Sequence, residues 1–448
     1  MAVIFGAALG VALGMVEHDE GPGGFFSQAW RRDADDTRTA LGTLFGLQIT
    51  VMTIVLAINS ATLQAGANQF SPRLVPIHLK NSPLRGTVPV FAFSAAYTIG
   101  AVKVLGLVAE GIAKPRPVVS GAFLILLATF ITLVSGMFKT FAMLRVERVL
   151  WLVQREAVEA AERVQSLVRN LTLAPAAKIV LPPTAVPLRA RACGYIVEID
   201  VAGLVARARR ARVRVRISRA VGEYVDSDEI VGWVAPELAG GPVDQRAVRM
   251  LSQRIRFSQN RELDYDPIYG VRILADVATR SLGAFLSDPY TAQQALEQLR
   301  SVLRYVIKQP LGDQNIVDDD GLVRVSVNSA DLREFISVGI EAPLRMGAGE
   351  PEVLDAVLEI AQEVGLLARE RETRDLAHAL VERVVQDATE YGHLDRSRRA
   401  RLLAQADLVN ETLARDAPRL DRHARAVWAL MRKDEVDVIA ARMAAVTP

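Results

Sequence analysis

Residues 41–64 read LGTLFGLQITVMTIVLAINSATLQ. A membrane-spanning helix needs roughly 20 mostly apolar residues, and this run qualifies. Yet it carries Thr43, Thr50, Thr53, Ser60 and Gln64. With Gly46 and Ala57 they recur at alternating steps of three and four. At about 100° per residue they fall on one stripe roughly 100° wide, and at 1.5 Å per residue the stripe is about 32 Å long. Gln48 and Asn59 lie nearly opposite and make a second, weaker polar face.

Two readings fit the stripe. Small residues let helices approach closely, and hydroxyls bond across helices or back to their own carbonyls. Alternatively, the stripe lines a water-filled path around the axis of a homo-oligomer. Local packing needs about two turns, whereas this stripe covers about six.

Three other apolar stretches lie nearby, at 1–16, about 87–109 and about 117–138. The first is short. It lacks a basic leader and a small-residue cleavage site before Glu17, so it reads as an anchor helix rather than a signal peptide. The expectation is four transmembrane helices within residues 1–142. Loop charges set the orientation. The 17–38 loop has Glu17, Asp19, Glu20, Asp33, Asp35 and Asp36 against three arginines, and the 65–86 loop has Arg73, Lys80 and Arg85 and no acid. Both termini and the 65–86 loop are therefore expected in the cytoplasm of a bacterium, with the protein in its inner membrane. Lys103 falls within the third span, where a charge faces the bundle or water; if the span frames differently, it snorkels to the interface.

The bulk numbers agree with a mixed chain. The 448 residues are 50% hydrophobic with mean hydropathy +0.20, and the apolar runs concentrate before residue 150. Net charge is +2, so no whole-chain field for nucleic acid exists. The lone Cys193 excludes an internal disulfide framework, and the five histidines lack ligand spacing. No metal, cofactor or catalytic constellation stands out, and an enzyme is not expected.

After the membrane half, 143–174 reads as an amphipathic stalk helix running into a linker, and the prolines at 175, 182, 183 and 187 mark that linker. Residues 175–240 read as a small β domain. In RVRVRI, Arg212, Arg214 and Arg216 alternate with Val213, Val215 and Ile217, so one strand face is basic. That face is either a patch for anionic lipid headgroups or a solvated surface paired with acids. Interleaved aromatics for nucleic acid are missing. The β pattern resembles the barrel-sandwich of lipoyl and biotinyl carriers, but no lysine occurs between Lys178 and Lys308, so the likeness is architectural. Residues 241–448 show helical apolar periods, interrupted by the strand-like LVRVSV at 322–327. Asp264, Asp266, Pro267, Asp288, Pro289 and Tyr290 form two acid-proline elements. They are either helix caps or part of a metal or acid–base site.

QFSPRL (Gln69, Phe70, Ser71, Pro72, Arg73, Leu74), DPIYGVRILADVATRSL and SDPYTA (287–292) carry a resemblance. With them, the chain resembles bacterial predicted membrane proteins grouped as domain of unknown function 2254. The resemblance implies no chemistry. By the family pattern, Gly283-Ala284 stands where Ser-Pro is usual, Ser287 where Asn is usual, and Asp228 where a turn glycine is usual. Gln69 to Arg73 then make an interfacial elbow after the polar helix: Pro72 ends the helix, Phe70 wedges, and Arg73 meets carbonyls or headgroups.

The fold class expected is thus a membrane α-helical part with a cytoplasmic α+β region. The functional expectation is a homo-oligomeric channel-like pore. The rival is a membrane-anchored scaffold or sensor whose helical domain binds a cytoplasmic protein partner.

Overall fold

The computed structural model describes residues 2–15, 31–32, 34–69, 71–81, 84–105, 114–115, 117–142, 145–169, 171–174, 179, 181–237, 241–283, 287–368 and 370–414. It divides into two compact units, 1–149 and 150–448.

The first unit is helical. Its elements are α1 (Ala2–Met15), α2 (Ala34–Gln69), the short α3 (Val75–Asn81), α4 (Leu84–Leu105) and α5 (Pro117–Ala142), with a 3₁₀ turn at Pro72–Leu74. α1 lies along α4 with the two chains in parallel. Glycine permits this: a Cβ at Gly6 would come 2.5 Å from the Phe93 carbonyl oxygen, and one at Gly10 would collide with that of Tyr97. This is the small-residue spacing that lets membrane helices approach. Tyr97 is fully buried beside Leu41, Ala101 and Ala122. Strand β1 (Arg31–Arg32) pairs antiparallel with β2 (Lys114–Pro115), which brings the α1–α2 and α4–α5 connections to the same end of the bundle.

Among the described residues, two helices are long and apolar enough to cross a membrane, at Arg38–Gly66 and Gly121–Thr140. The four expected spans reduce to these two by that measure. α1 is described over only 14 residues. α4 carries Arg85, an internal Pro89 and Lys103. The helix holding the polar stripe is also longer than the expected 41–63, at 36 residues.

The second unit combines sheet and helices. α6 (Val146–Val168) is the expected amphipathic helix, and Ala157 on it packs so closely on Gly270 that a Cβ there would approach within 2.5 Å. Then come β3 (Thr172–Ala174), β4 (Val186–Arg189), β5 (Gly194–Ile199), α7 (Val201–Arg210), β6 (Val213–Ile217), β7 (Tyr224–Val225), β8 (Ile230–Pro236), α8 (Gln245–Ser252) and β9 (Ile255–Ser258). The helices α9 (Pro267–Ser281) and α10 (Pro289–Val306) follow, then β10 (Gln314–Val317), β11 (Val323–Val327), α11 (Leu332–Met346), α12 (Pro351–Leu367), α13 (Arg371–Tyr391) and α14 (Arg396–Ala414). Six strands form one sheet in the order β3-β10-β11-β6-β8-β4, and three form another, β7-β5-β9.

Three features depart from the sequence reading. The barrel-sandwich does not form. Asp200, directly after β5, accepts a hydrogen bond from Gly203 N at 2.8 Å and starts α7. The central strand β6 also pairs parallel with β11, so the sheet is mixed. The 240/241 boundary therefore does not separate sheet from helices, because LVRVSV completes the β sheet from within the later segment. The start of the linker, within 143–174, forms β3, which pairs with β10. The apolar side of β6 behaves as expected: Val213, Val215 and Ile217 are buried in a core shared with Leu204, Leu188, Val234 and Val325.

Candidate functional site

The polar stripe of α2 is the first candidate, and rotation of the helix decides what it does. The opposite face is locked into the bundle. Gln48 Nε2 donates to Ser94 Oγ on α4 at 2.7 Å. Thr140 Oγ1 on α5 donates to Asn59 Oδ1 at 3.0 Å, and Asn59 Nδ2 donates back to the Val55 carbonyl. Gln48 and Asn59 are 4% and 7% exposed. The weaker polar face is thus the packing face.

The stripe faces the other way. Thr43, Gly46, Thr50, Thr53, Ala57, Ser60 and Gln64 are all exposed on the single chain. A side chain added at Gly46, or at neighbouring Gly42, would meet nothing within 4 Å. The hydroxyls of Thr43, Thr50 and Thr53 donate to the carbonyls of Thr39, Gly46 and Ile49 at 2.9–3.0 Å. Their donors are satisfied without water, so the stripe suits a helix contact as well as an aqueous surface.

At the end of α2 the backbone breaks at Ser71, which is extended (φ −169°, ψ 139°). Its Oγ accepts from Arg73 N at 3.2 Å, Pro72 opens the 3₁₀ turn, and Leu74 is buried. Gln69 is the last residue of α2 and Arg73 is exposed. Phe70 lies outside the described residues. Lys103 is exposed in the last turn of α4 as described.

The acid-proline elements are helix starts. Asp266 caps α9: Oδ1 accepts from Tyr269 N at 3.0 Å, and Oδ2 takes a 2.7 Å hydrogen bond from Arg261 Nε. It is 3% exposed. Burial pushes its carboxyl above the usual range, against the pull of Arg261. Gly222, with φ +92°, lies against its Oδ2 and leaves no room for a Cβ. Asp288 caps α10, accepting from Thr291 N at 3.1 Å and Thr291 Oγ1 at 2.6 Å. Pro267 and Pro289 take the first helical positions, where their missing N–H is harmless. Asp264 binds Arg163 on α6, and Tyr290 is exposed. These acids do not converge. Asp288 N donates to Ser281 O at the far end of α9, so Asp266 and Asp288 are separated by a helix of 15 residues, or about 22 Å. Among the described residues, no three His, Cys, Asp or Glu side chains are placed to share a metal.

On the basic strand, Arg212 is exposed, while Arg214 and Arg216 are half-buried. Arg214 Nε donates to the Val323 carbonyl at 3.2 Å. The sequence reading missed Arg324 on β11. It is 1% exposed and bonds Asp318 at 2.5 Å and Glu237 at 2.8 Å. Its signal was the acidic turn Asp318-Asp319-Asp320-Gly321 just before it, whose Asp319 also pairs with Arg209.

A chain with two apolar spans, one of them polar-faced, and a capped helical array has a counterpart among known families. Residues 1–363 match the family described as predicted membrane protein (DUF2254). The chain belongs to that family. The DUF2254 match takes in both the stripe of α2 and the two capped helices. An uncharacterized protein of Mycobacterium bovis and two of Mycobacterium tuberculosis are each 26% identical over 390 residues, covering 85% of this chain and 73% of the relative. No solved structure matches.

Two turn residues, Asp228 and Ser287, have φ of +65° and +41°. Glycine and asparagine are the residues that best tolerate this left-handed region.

Proposed function

We propose that this DUF2254 member is a homo-oligomeric channel-like pore of the bacterial inner membrane, lined by the α2 stripe. One observation carries the reading: the stripe is exposed on the single chain while the opposite polar face of the same helix is bonded inside it. Polar residues along some 32 Å of a membrane helix are costly against lipid and are resolved by water or by a second copy. Assembly around a central axis supplies both. In this reading α1 and α4 also cross the bilayer. The parallel run of α1 on α4 and the β1–β2 pairing favour it, since they put alternate connections at one end. The basic 65–86 segment then lies in the cytoplasm with the second unit, and no catalysis is assigned.

A second reading keeps the oligomer and drops the pore, making the chain a membrane-anchored scaffold. The backbone-bonded threonines favour it, because a face with satisfied hydroxyls packs dry. Conductance separates the two. Purified protein in planar bilayers is expected to show unitary currents that a thiol reagent blocks only when Thr53 or Ser60 is replaced by Cys in a Cys193→Ala background. Silent bilayers with an intact oligomer would leave the scaffold.

A further inference from the structure

Within the second unit, a cavity of about 440 Å³ opens where β10 and β11 meet the start of α11. Gly312, Asp313, Asn315, Asn328, Asp331 and Glu334 line it, and no cationic side chain does. Strand alternation places Asn315 on this side: its neighbour Ile316 is in the core, so Asn315 turns to the other face. Asn315 is 1% exposed, and neither its Oδ1 nor its Nδ2 has a hydrogen-bond partner. Buried amides are nearly always paired, and an unpaired one needs a reason. The carboxyl of Glu334 sits above its usual range, first through burial and then through the charges of Asp331, Glu223 and Asp266, with Arg261 opposing. The lining therefore has no cation of its own and holds an amide with no hydrogen-bond partner.

We propose that this cavity binds a small organic cation carrying a primary ammonium group, held by Glu334 and Asp331 at its rim and by Asn315 at its floor. An ammonium offers three donors and no acceptor, which matches carboxylates and an amide oxygen. The volume is that of a small-molecule site, which runs about 300–1,000 Å³. A bare metal ion fits less well, because the acids are not placed to share one. Asp331 keeps one oxygen on Glu334 N at 2.8 Å as the cap of α11, so Glu334 is the main charge partner.

The probe is putrescine, titrated into the full chain in detergent by calorimetry, with thermal unfolding in parallel. Saturable binding and a raised Tm are expected, with affinity falling about tenfold or more in Glu334→Gln. That substitution keeps the side chain's size and the Glu334 N–H that Asp331 caps, and Asn315→Ala is expected to weaken binding as well. Absence of saturable binding to the unsubstituted protein overturns the proposal. So does an equal response to magnesium at matched ionic strength, or unchanged affinity in a folded Glu334→Gln protein.

Discussion

Thr140 on α5 donates its hydroxyl to Asn59 Oδ1 on α2 at 3.0 Å, and this bond fixes how α2 is turned. Asn59 lies inside, so Ser60 and Ala57, about 100° and 200° around the helix, are carried away from the bundle. The outward stripe is therefore a consequence of inward bonds, and the bonds can be tested first. A double-mutant cycle of Asn59→Leu and Thr140→Val is expected to give a coupling of about 0.6 kcal/mol, with about 1.7 as the upper end. Zero coupling in unfolding measurements would mean the two side chains do not set the rotation.

Gly10 and Gly46 should respond differently to the same change. At Gly10 a side chain collides with the Tyr97 backbone, whereas at Gly46 it meets open space. Gly10→Leu is expected to destabilise the bundle by about 1–3 kcal/mol through overpacking. Gly46→Leu is expected to leave the single chain stable and to shift the oligomer toward smaller species. Size-exclusion chromatography with light scattering reads the second effect, and unchanged mass for Gly46→Leu would count against a stripe-centred assembly.

Two surface turns hold residues in the left-handed region, Asp228 at φ +65° and Ser287 at φ +41°. Asp228→Gly and Ser287→Gly relieve backbone strain and are each expected to raise stability by up to about 1 kcal/mol. Thermal or chemical unfolding of the second unit reads this, and a loss of stability in both would show that the side chains matter more than the backbone.

Arg324 and Asp318 set an acid limit on the sheet. Burial alone would raise the Asp318 carboxyl, but hydrogen bonds from Arg324 and from backbone N–H groups hold it below the usual range. A carboxyl lowered on folding stabilises above its unfolded value, about 3.9, and that contribution is lost as pH falls through the folded value. Arg324→Leu leaves the buried Asp318 carboxylate without its cation and is expected to cost about 3–5 kcal/mol at pH 7. The same substitution should cost less near pH 3, once that carboxylate is protonated. An equal cost at both pH values would show that packing, not charge, is what Arg324 supplies.

Much of this architecture is legible in the sequence because it rests on periodicity. The stripe and its opposing Gln48–Asn59 face follow from 3.6-residue spacing, and the alternation in RVRVRI gives the buried Val213, Val215 and Ile217. Asp266 and Asp288 are readable as caps from the proline that follows each. What the sequence hides is partnership between distant segments. Nothing in LVRVSV announces that it pairs parallel with a strand more than 100 residues earlier. Gly6 and Gly10 have the spacing of a helix contact, but only Phe93 and Tyr97 opposite them give it meaning. The outward aim of the stripe is of the same kind: it depends on Ser94 and Thr140, which lie on other helices.

Water accessibility along α2 tests the central claim most directly. Single cysteines at Thr43, Thr50, Thr53, Ala57 and Ser60, in a Cys193→Ala background because Cys193 is itself exposed, are treated in intact membranes with an impermeant thiol reagent. Labelling at all five, with the exposed apolar Leu56 and Ile54 beside the stripe silent, is the expected result. Protection of the stripe to the same degree as Leu56 and Ile54 would contradict a water-lined pore.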